Sequence, residues 1–183
     1  MGLSSIALAG GQNEQKNDQS DPGTQNFYVG ALIGGNRNSN SDGAISDTTT
    51  NPAIGVTAGI RVSPRFGVGF FGSRYGQTSS GIFLGLPAGT STTTTMLLAQ
   101  GNYFSKAIHL GVEAGATTSS WDRIVASRHD GSSSTSMVYG PHGGIDLKLD
   151  KAITLGGEFH YLFSTAHNVA SNAQALAALK IWI

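Results

Sequence analysis

Between Gly144 and Phe163 the chain alternates apolar and polar residues on both sides of one short polar turn. Ile145, Leu147 and Leu149 fall on one face, with Gly144, Asp146 and Lys148 on the other. Past Asp150-Lys151-Ala152, Ile153, Leu155, Phe159 and Tyr161 are opposed by Thr154, Gly156, Glu158 and His160. A period of two belongs to a β-strand, and two such runs about a three-residue turn predict a β-hairpin. Pairing Leu149 with Ile153 aligns Lys148 with Thr154, Leu147 with Leu155 and Gly144 with Glu158, so the faces match throughout.

The same period predicts six more strands. They span Asn26 to Asn36, Ala53 to Val62, Phe66 to Tyr75, Thr93 to Tyr103, Ile108 to Thr117 and Asn172 to Ile183, with the hairpin's first arm starting near Thr135. Pro141 in that arm points to a bulge or an irregular pairing, because it has no N–H to give a ladder. Ser63-Pro64-Arg65 and Phe104-Ser105-Lys106-Ala107 read as tight turns. Segments 37–52, 76–92 and 118–134 read as long polar loops, apart from Ile82 to Pro87, which is apolar enough to extend a strand or pack over a sheet edge. Long connections follow strands one, three, five and seven, and short ones follow two, four and six. That alternation predicts an all-β, eight-stranded antiparallel up-and-down transmembrane β-barrel with short periplasmic turns and long extracellular loops.

Composition decides which side of the sheet meets water. Only 12% of the 183 residues are charged, about half the usual share, and 26 are glycine. This is little charge for a soluble surface. Net charge is zero, so no field attracts nucleic acid, and with no cysteine there is no disulfide framework or thiolate metal site. No apolar run is long enough for a transmembrane helix, which leaves strands as the means of crossing. Ala7-Leu8-Ala9 before Gly10 resembles a signal-peptidase site, so residues 1–25 read as a signal remnant and flexible lead-in to a single barrel over 26–183.

With the aliphatic face turned to lipid, parity sends Arg61, His109, Glu113, His142, Asp146, Lys148, Glu158, His160 and Lys180 into the lumen. An eight-stranded barrel is just wide enough for side chains to fill, so these groups are expected to satisfy one another. Tyr28, Tyr103 and Trp182 fall near the short-turn rim and Tyr75, Trp121, Tyr139 and Tyr161 near the other, as two interface belts would require, although Tyr28 and Trp182 face inward by parity. The opposite reading, a soluble lipocalin-like barrel burying the aliphatic face around a ligand, would have to expose a face rich in glycine and poor in charge.

From Phe27 to Ile183 the chain resembles the small bacterial outer-membrane β-barrels of the OmpA transmembrane-domain, OmpX and opacity-protein type. The likeness rests on this architecture, on Leu155-Gly156-Gly157-Glu158-Phe159-His160-Tyr161 and on the amphipathic last strand; this chain ends in Ile183 after Trp182, where that family usually ends in an aromatic residue. The resemblance implies residence in the outer membrane among its lipids and lipopolysaccharide, and recognition of the C-terminal strand by the barrel assembly machinery. The leading functional reading is a non-enzymatic structural or surface-interaction role, with the polar, Ser/Thr/Asn-rich loops 37–52, 76–92 and 118–134 meeting a ligand or partner protein. The third loop carries Trp121, Asp122, Arg123, Arg128 and His129, a set able to meet lipopolysaccharide phosphates, although a solvated loop explains it more simply.

Two other functional classes compete with this reading. A lipid A-modifying enzyme would draw on Glu158, His160 and Ser164, yet parity turns the first two away from lipid, and a metal site from His142, His160 and Glu158 is less favoured still. A channel through eight strands would be narrow. No catalytic, cofactor or metal residue is assigned.

Overall fold

In the computed structural model, which describes residues 26–42, 45–83, 86–125, 128–165 and 171–183, eight antiparallel strands close into a barrel. They are β1 (Phe27–Asp42), β2 (Ile45–Arg61), β3 (Phe66–Phe83), β4 (Leu86–Ser105), β5 (Ile108–Val125), β6 (Arg128–Lys148), β7 (Ile153–Ser164) and β8 (Ser171–Trp182). Each pairs with its chain neighbours, and β1 closes on β8. The signal remnant and lead-in expected over 1–25 lie outside the described residues.

The hairpin register is the expected one. Lys148 pairs with Thr154, Leu147 with Leu155 and Gly144 with Glu158, and the Leu149 N–H donates to the Ile153 carbonyl at 2.9 Å. At Ser63-Pro64-Arg65, Val62 N–H donates to Phe66 O at 2.9 Å and Ser63 Oγ accepts from Phe66 N–H at 3.0 Å. The turn expected over Phe104–Ala107 is tighter: Ser105 pairs with Ile108, leaving a two-residue turn in which Lys106 takes a positive φ of 52°. Phe104 belongs to β4 because its ring is buried in the lumen.

Following paired residues once round the wall gives the barrel its geometry. Val29, Ala58, Phe70, Ala99, Ala114, Tyr139, Phe163 and Ser171 are successive partners, and Ser171 then meets Ser39, ten residues beyond Val29. The strands are therefore tilted, and positions of equal height drop about 1.25 residues towards the short turns at each step from β1 to β8.

One expectation is overturned. Segments 37–52, 76–92 and 118–134 are mostly not loops: β1–β2, β3–β4 and β5–β6 stay paired up to Asp42–Ile45, Phe83–Leu86 and Val125–Arg128. Ser, Thr and Asn there have no core to face, so the apolar alternation stops while the backbone ladder continues. The apolar Ile82–Pro87 stretch falls at the tip of the β3–β4 hairpin, where its side chains lie outside the described residues. At Pro141 the irregular pairing expected there is present, without a bulge. Tyr139–Phe163 and His142–His160 keep one register, and the β6–β7 ladder skips Gly140 and Pro141 between them.

Outward residues form an apolar band in which Val112 is 69% exposed, Val56 64% and Phe70 63%. Inward ones are buried. Among them Leu32, Phe71, Met96, Leu98, Leu162 and Leu176 make an apolar layer inside the barrel, beside the polar groups expected there.

Candidate functional site: the lumen network and its plug

Alternation on β5, β6, β7 and β8 brings the inward polar side chains to one level of the lumen. Glu113 is its centre: Gln100 Nε2 donates to Glu113 Oε2 at 3.0 Å, and His160 Nδ1 stands 3.0 and 3.1 Å from the two carboxylate oxygens. His160 Nε2 lies 3.3 Å from Glu158 Oε2, an ion-pair contact too oblique to be a hydrogen bond. Glu158 Oε1 meets Lys180 Nζ at 2.7 Å, and Lys180 reaches Asp146 Oδ1 at 2.9 Å. Asp146 Oδ2 is then 3.0 Å from His109 Nδ1, again an ion-pair contact outside hydrogen-bond geometry. The three carboxylates thus face Lys180 and three imidazoles, those of His109, His142 and His160, as buried charges require.

Packing fixes the rings. His160 is fully buried and stacks on Phe71 at 4.1 Å between centroids; its cross-strand neighbour His142 stacks with it at 5.8 Å. His142 Nε2 meets Asn102 Oδ1 at 2.6 Å, while its Nδ1 is 3.7 Å from Glu113. Gly111 makes room for it, since a Cβ there would lie 2.6 Å from the His142 ring.

Below this level the short-turn end is closed by a plug. The Arg61 guanidinium lies between Trp182 and Phe104, 4.3 and 4.4 Å from their ring centroids. Tyr28 packs on Trp182 at 4.9 Å, and Trp182 Nε1 donates to Thr154 Oγ1 at 3.3 Å. Gly59 is needed beneath it, because a Cβ would sit 2.6 Å from the Tyr28 hydroxyl. Above the network the lining turns to amides: Asn172 Nδ2 donates to Tyr75 Oη at 2.9 Å and Gln174 Nε2 to Ser73 Oγ at 3.1 Å.

Of the residues sent inward by parity, Lys148 does not join. It ends β6 at the barrel mouth and is exposed, because parity gives the face of a strand but not its depth. Four of the aromatic assignments also change. Tyr28, Tyr75 and Trp182 are buried in the lumen, and Trp121 lies above the band on the face that continues the lumen lining, so Tyr103, Tyr139 and Tyr161 are the ones that face lipid. Phe66 joins Tyr103 at 5.4 Å, and Phe163 packs with Tyr139 and Tyr161 at 5.9 and 5.1 Å. The sequence reading missed Gln100, Asn102, Phe104 and Gln174 as network or plug members, although all four sit opposite lipid-facing neighbours and the same parity rule would have found them.

The set Glu158, His160 and Ser164 is not assembled for catalysis. Ser164 stands four residues above His160 on the same strand, about 13 Å along it, opposite Val138. Among the described residues no group of His, Asp and Glu is arranged to hold a metal ion. Arg123, Arg128 and His129 of the third hairpin carry side chains outside the described residues.

An apolar band round a polar, filled interior is the inverse of a soluble barrel and defines a transmembrane β-barrel. No protein-family model and no curated protein matches the chain. Solved structures do. The attachment invasion locus protein Ail of Yersinia pestis, in complex with the heparin analogue sucrose octasulfate, superposes with a TM-score of 0.65 at 11% identity, over 85% of this chain and 99% of that one. Neisserial surface protein A gives 0.54 at 12% identity, over 86% and 97%. The N-terminal β-barrel domain of Pseudomonas aeruginosa OprF gives 0.53 at 10%, over 87% and 98%. The chain has the fold of the small eight-stranded outer-membrane barrels.

Proposed function

We propose that the protein is a non-enzymatic barrel of the bacterial outer membrane that acts at the cell surface through its projecting hairpins. One observation carries this reading: β4 and β6 have 20 and 21 residues, whereas about 9–11 suffice to cross a bilayer. Roughly half of each strand therefore stands in water as Ser/Thr-rich hairpin, above a lumen packed from Trp182 to Gln174. A filled lumen argues against transport, and the buried network explains its own histidines and carboxylates as internal pairing. Because the resembling barrel Ail has been captured with a heparin analogue, a sulfated polysaccharide is the first probe.

Two measurements test the reading. In planar bilayers the refolded protein is expected to give no stable unit steps; regular steps would make it a channel. Cells displaying the full chain should adhere to a heparin-coated surface more than cells whose hairpins are cut back to residues 37 and 50, 76 and 92, and 118 and 134. Equal adhesion would overturn the surface role.

A further inference from the structure

A pattern on the outer wall repeats on two strands. Outward residues of β1 run Ile33, Gly35, Arg37 towards the long-hairpin end, and those of β3 run Phe70, Gly72, Arg74. Arg37 and Arg74 are both exposed, and neither makes a hydrogen bond or ion pair with any described residue. Arg37 is in register with Thr50, and Arg74 with Ile54, on the strand between them. Allowing for the barrel's tilt, the two arginines stand within about two residues of the same height.

Beneath each arginine the wall has no side chain. A Cβ on Gly35 would find its nearest neighbour 3.9 Å away and one on Gly72 3.6 Å away, so both are open saddles rather than forced close approaches. Below the saddles lie Ile33, 66% exposed, and Phe70, in the hydrocarbon-facing band. Each site therefore stacks, from the membrane interior outwards, an apolar side chain, an open groove and a guanidinium with no partner among the described residues. An acyl chain fits the groove and a phosphate the guanidinium, since arginine binds phosphate bidentately and an unpaired charge at the edge of the apolar band is costly.

The spacing selects among phospholipids and glycolipids. Two strand widths across and four residues along place the two Cα atoms roughly 16 Å apart, and the quarter turn of the closed eight-stranded wall between β1 and β3 points the two guanidiniums away from one another, so each meets its own phosphate. We infer that Arg37 and Arg74, over the Gly35 and Gly72 saddles, form a docking site for a diphosphorylated, multiply acylated glycolipid, the chemistry of lipid A in the outer leaflet. Among the described side chains no carboxylate faces outward on β1 to β4 to compete for the arginines. The site rests on the outward orientation of the hairpins proposed above, but its test involves no adhesion, so the two can fail separately.

The full chain, refolded into phosphatidylcholine nanodiscs, is offered diphosphoryl lipid A, monophosphoryl lipid A or phosphatidylglycerol, and bound lipid is read by native mass spectrometry. Diphosphoryl lipid A should be retained best. Arg37→Gln and Arg74→Gln should each weaken it about tenfold, the worth of one charge-assisted contact. Gly35→Leu with Gly72→Leu should weaken it with both charges kept, and Arg65→Gln with Lys106→Gln at the opposite rim should change nothing. Heat-shifted gel mobility confirms that each variant is folded. Retention unchanged in a folded Arg37→Gln, Arg74→Gln double variant, or in either single variant where the double one does not fold, overturns the site. So does phosphatidylglycerol binding as well as diphosphoryl lipid A.

Discussion

Glu113 shows what one buried group does here. It receives Gln100 and His160 at 3.0 Å each and has no access to solvent, so its loss leaves an imidazole and an amide without their acceptor. Glu113→Leu is expected to lower stability by about 3–5 kcal/mol, seen as a fall in the urea midpoint of the detergent-refolded barrel. Lys148→Met at the mouth should change it by less than about 0.5 kcal/mol. Equal effects would show that the network is not a coupled unit. Parity in the sequence told these residues' faces correctly, because side chains alternate strictly along a strand. It could not tell depth, which is why Lys148 was grouped with Glu158 although one is exposed and the other buried.

Among elements, the strands carry the main departure from the sequence reading. Apolar alternation marks only the stretch of strand that meets hydrocarbon, so β1 was legible to Asn36 but not to Asp42, and β6 from Thr135 but not from Arg128. The extensions are held by backbone pairing and by residues such as Thr118 and Thr135, whose hydroxyls are 3.1 Å apart across the ladder. The two-residue turn Lys106–Ala107 holds lysine in a left-handed conformation that costs an L-residue about 1–2 kcal/mol. Lys106→Gly should raise stability by about 1 kcal/mol, seen as a higher urea midpoint; a loss would mean that the lysine side chain holds that turn in another way.

For the molecule as a whole, the number of strands, their order and the inversion of inside and outside were readable, since alternation and connection length are local signals. The plug of Arg61 between Phe104 and Trp182 was not, because it joins β2, β4 and β8, and no local pattern reports a contact between strands that are not neighbours in the chain. The whole-molecule prediction follows from the apolar band: circular dichroism should show a β spectrum only in detergent or lipid, with an unboiled gel band that shifts on heating. A stable β protein in plain buffer would turn the barrel inside out.

Closure of β1 on β8 also governs how the chain reaches this state. The ladder that seals the ring joins Tyr28 to Trp182, nearly the full length of the described chain. A contact so distant in sequence forms slowly and after local hairpins. Until it forms, two strands carry open backbone edges beside an aliphatic face, the combination most prone to add onto another copy. The folding chain is therefore most vulnerable just before completion, and the safest place for its last ladder to zip is within the bilayer, where the apolar face is already covered.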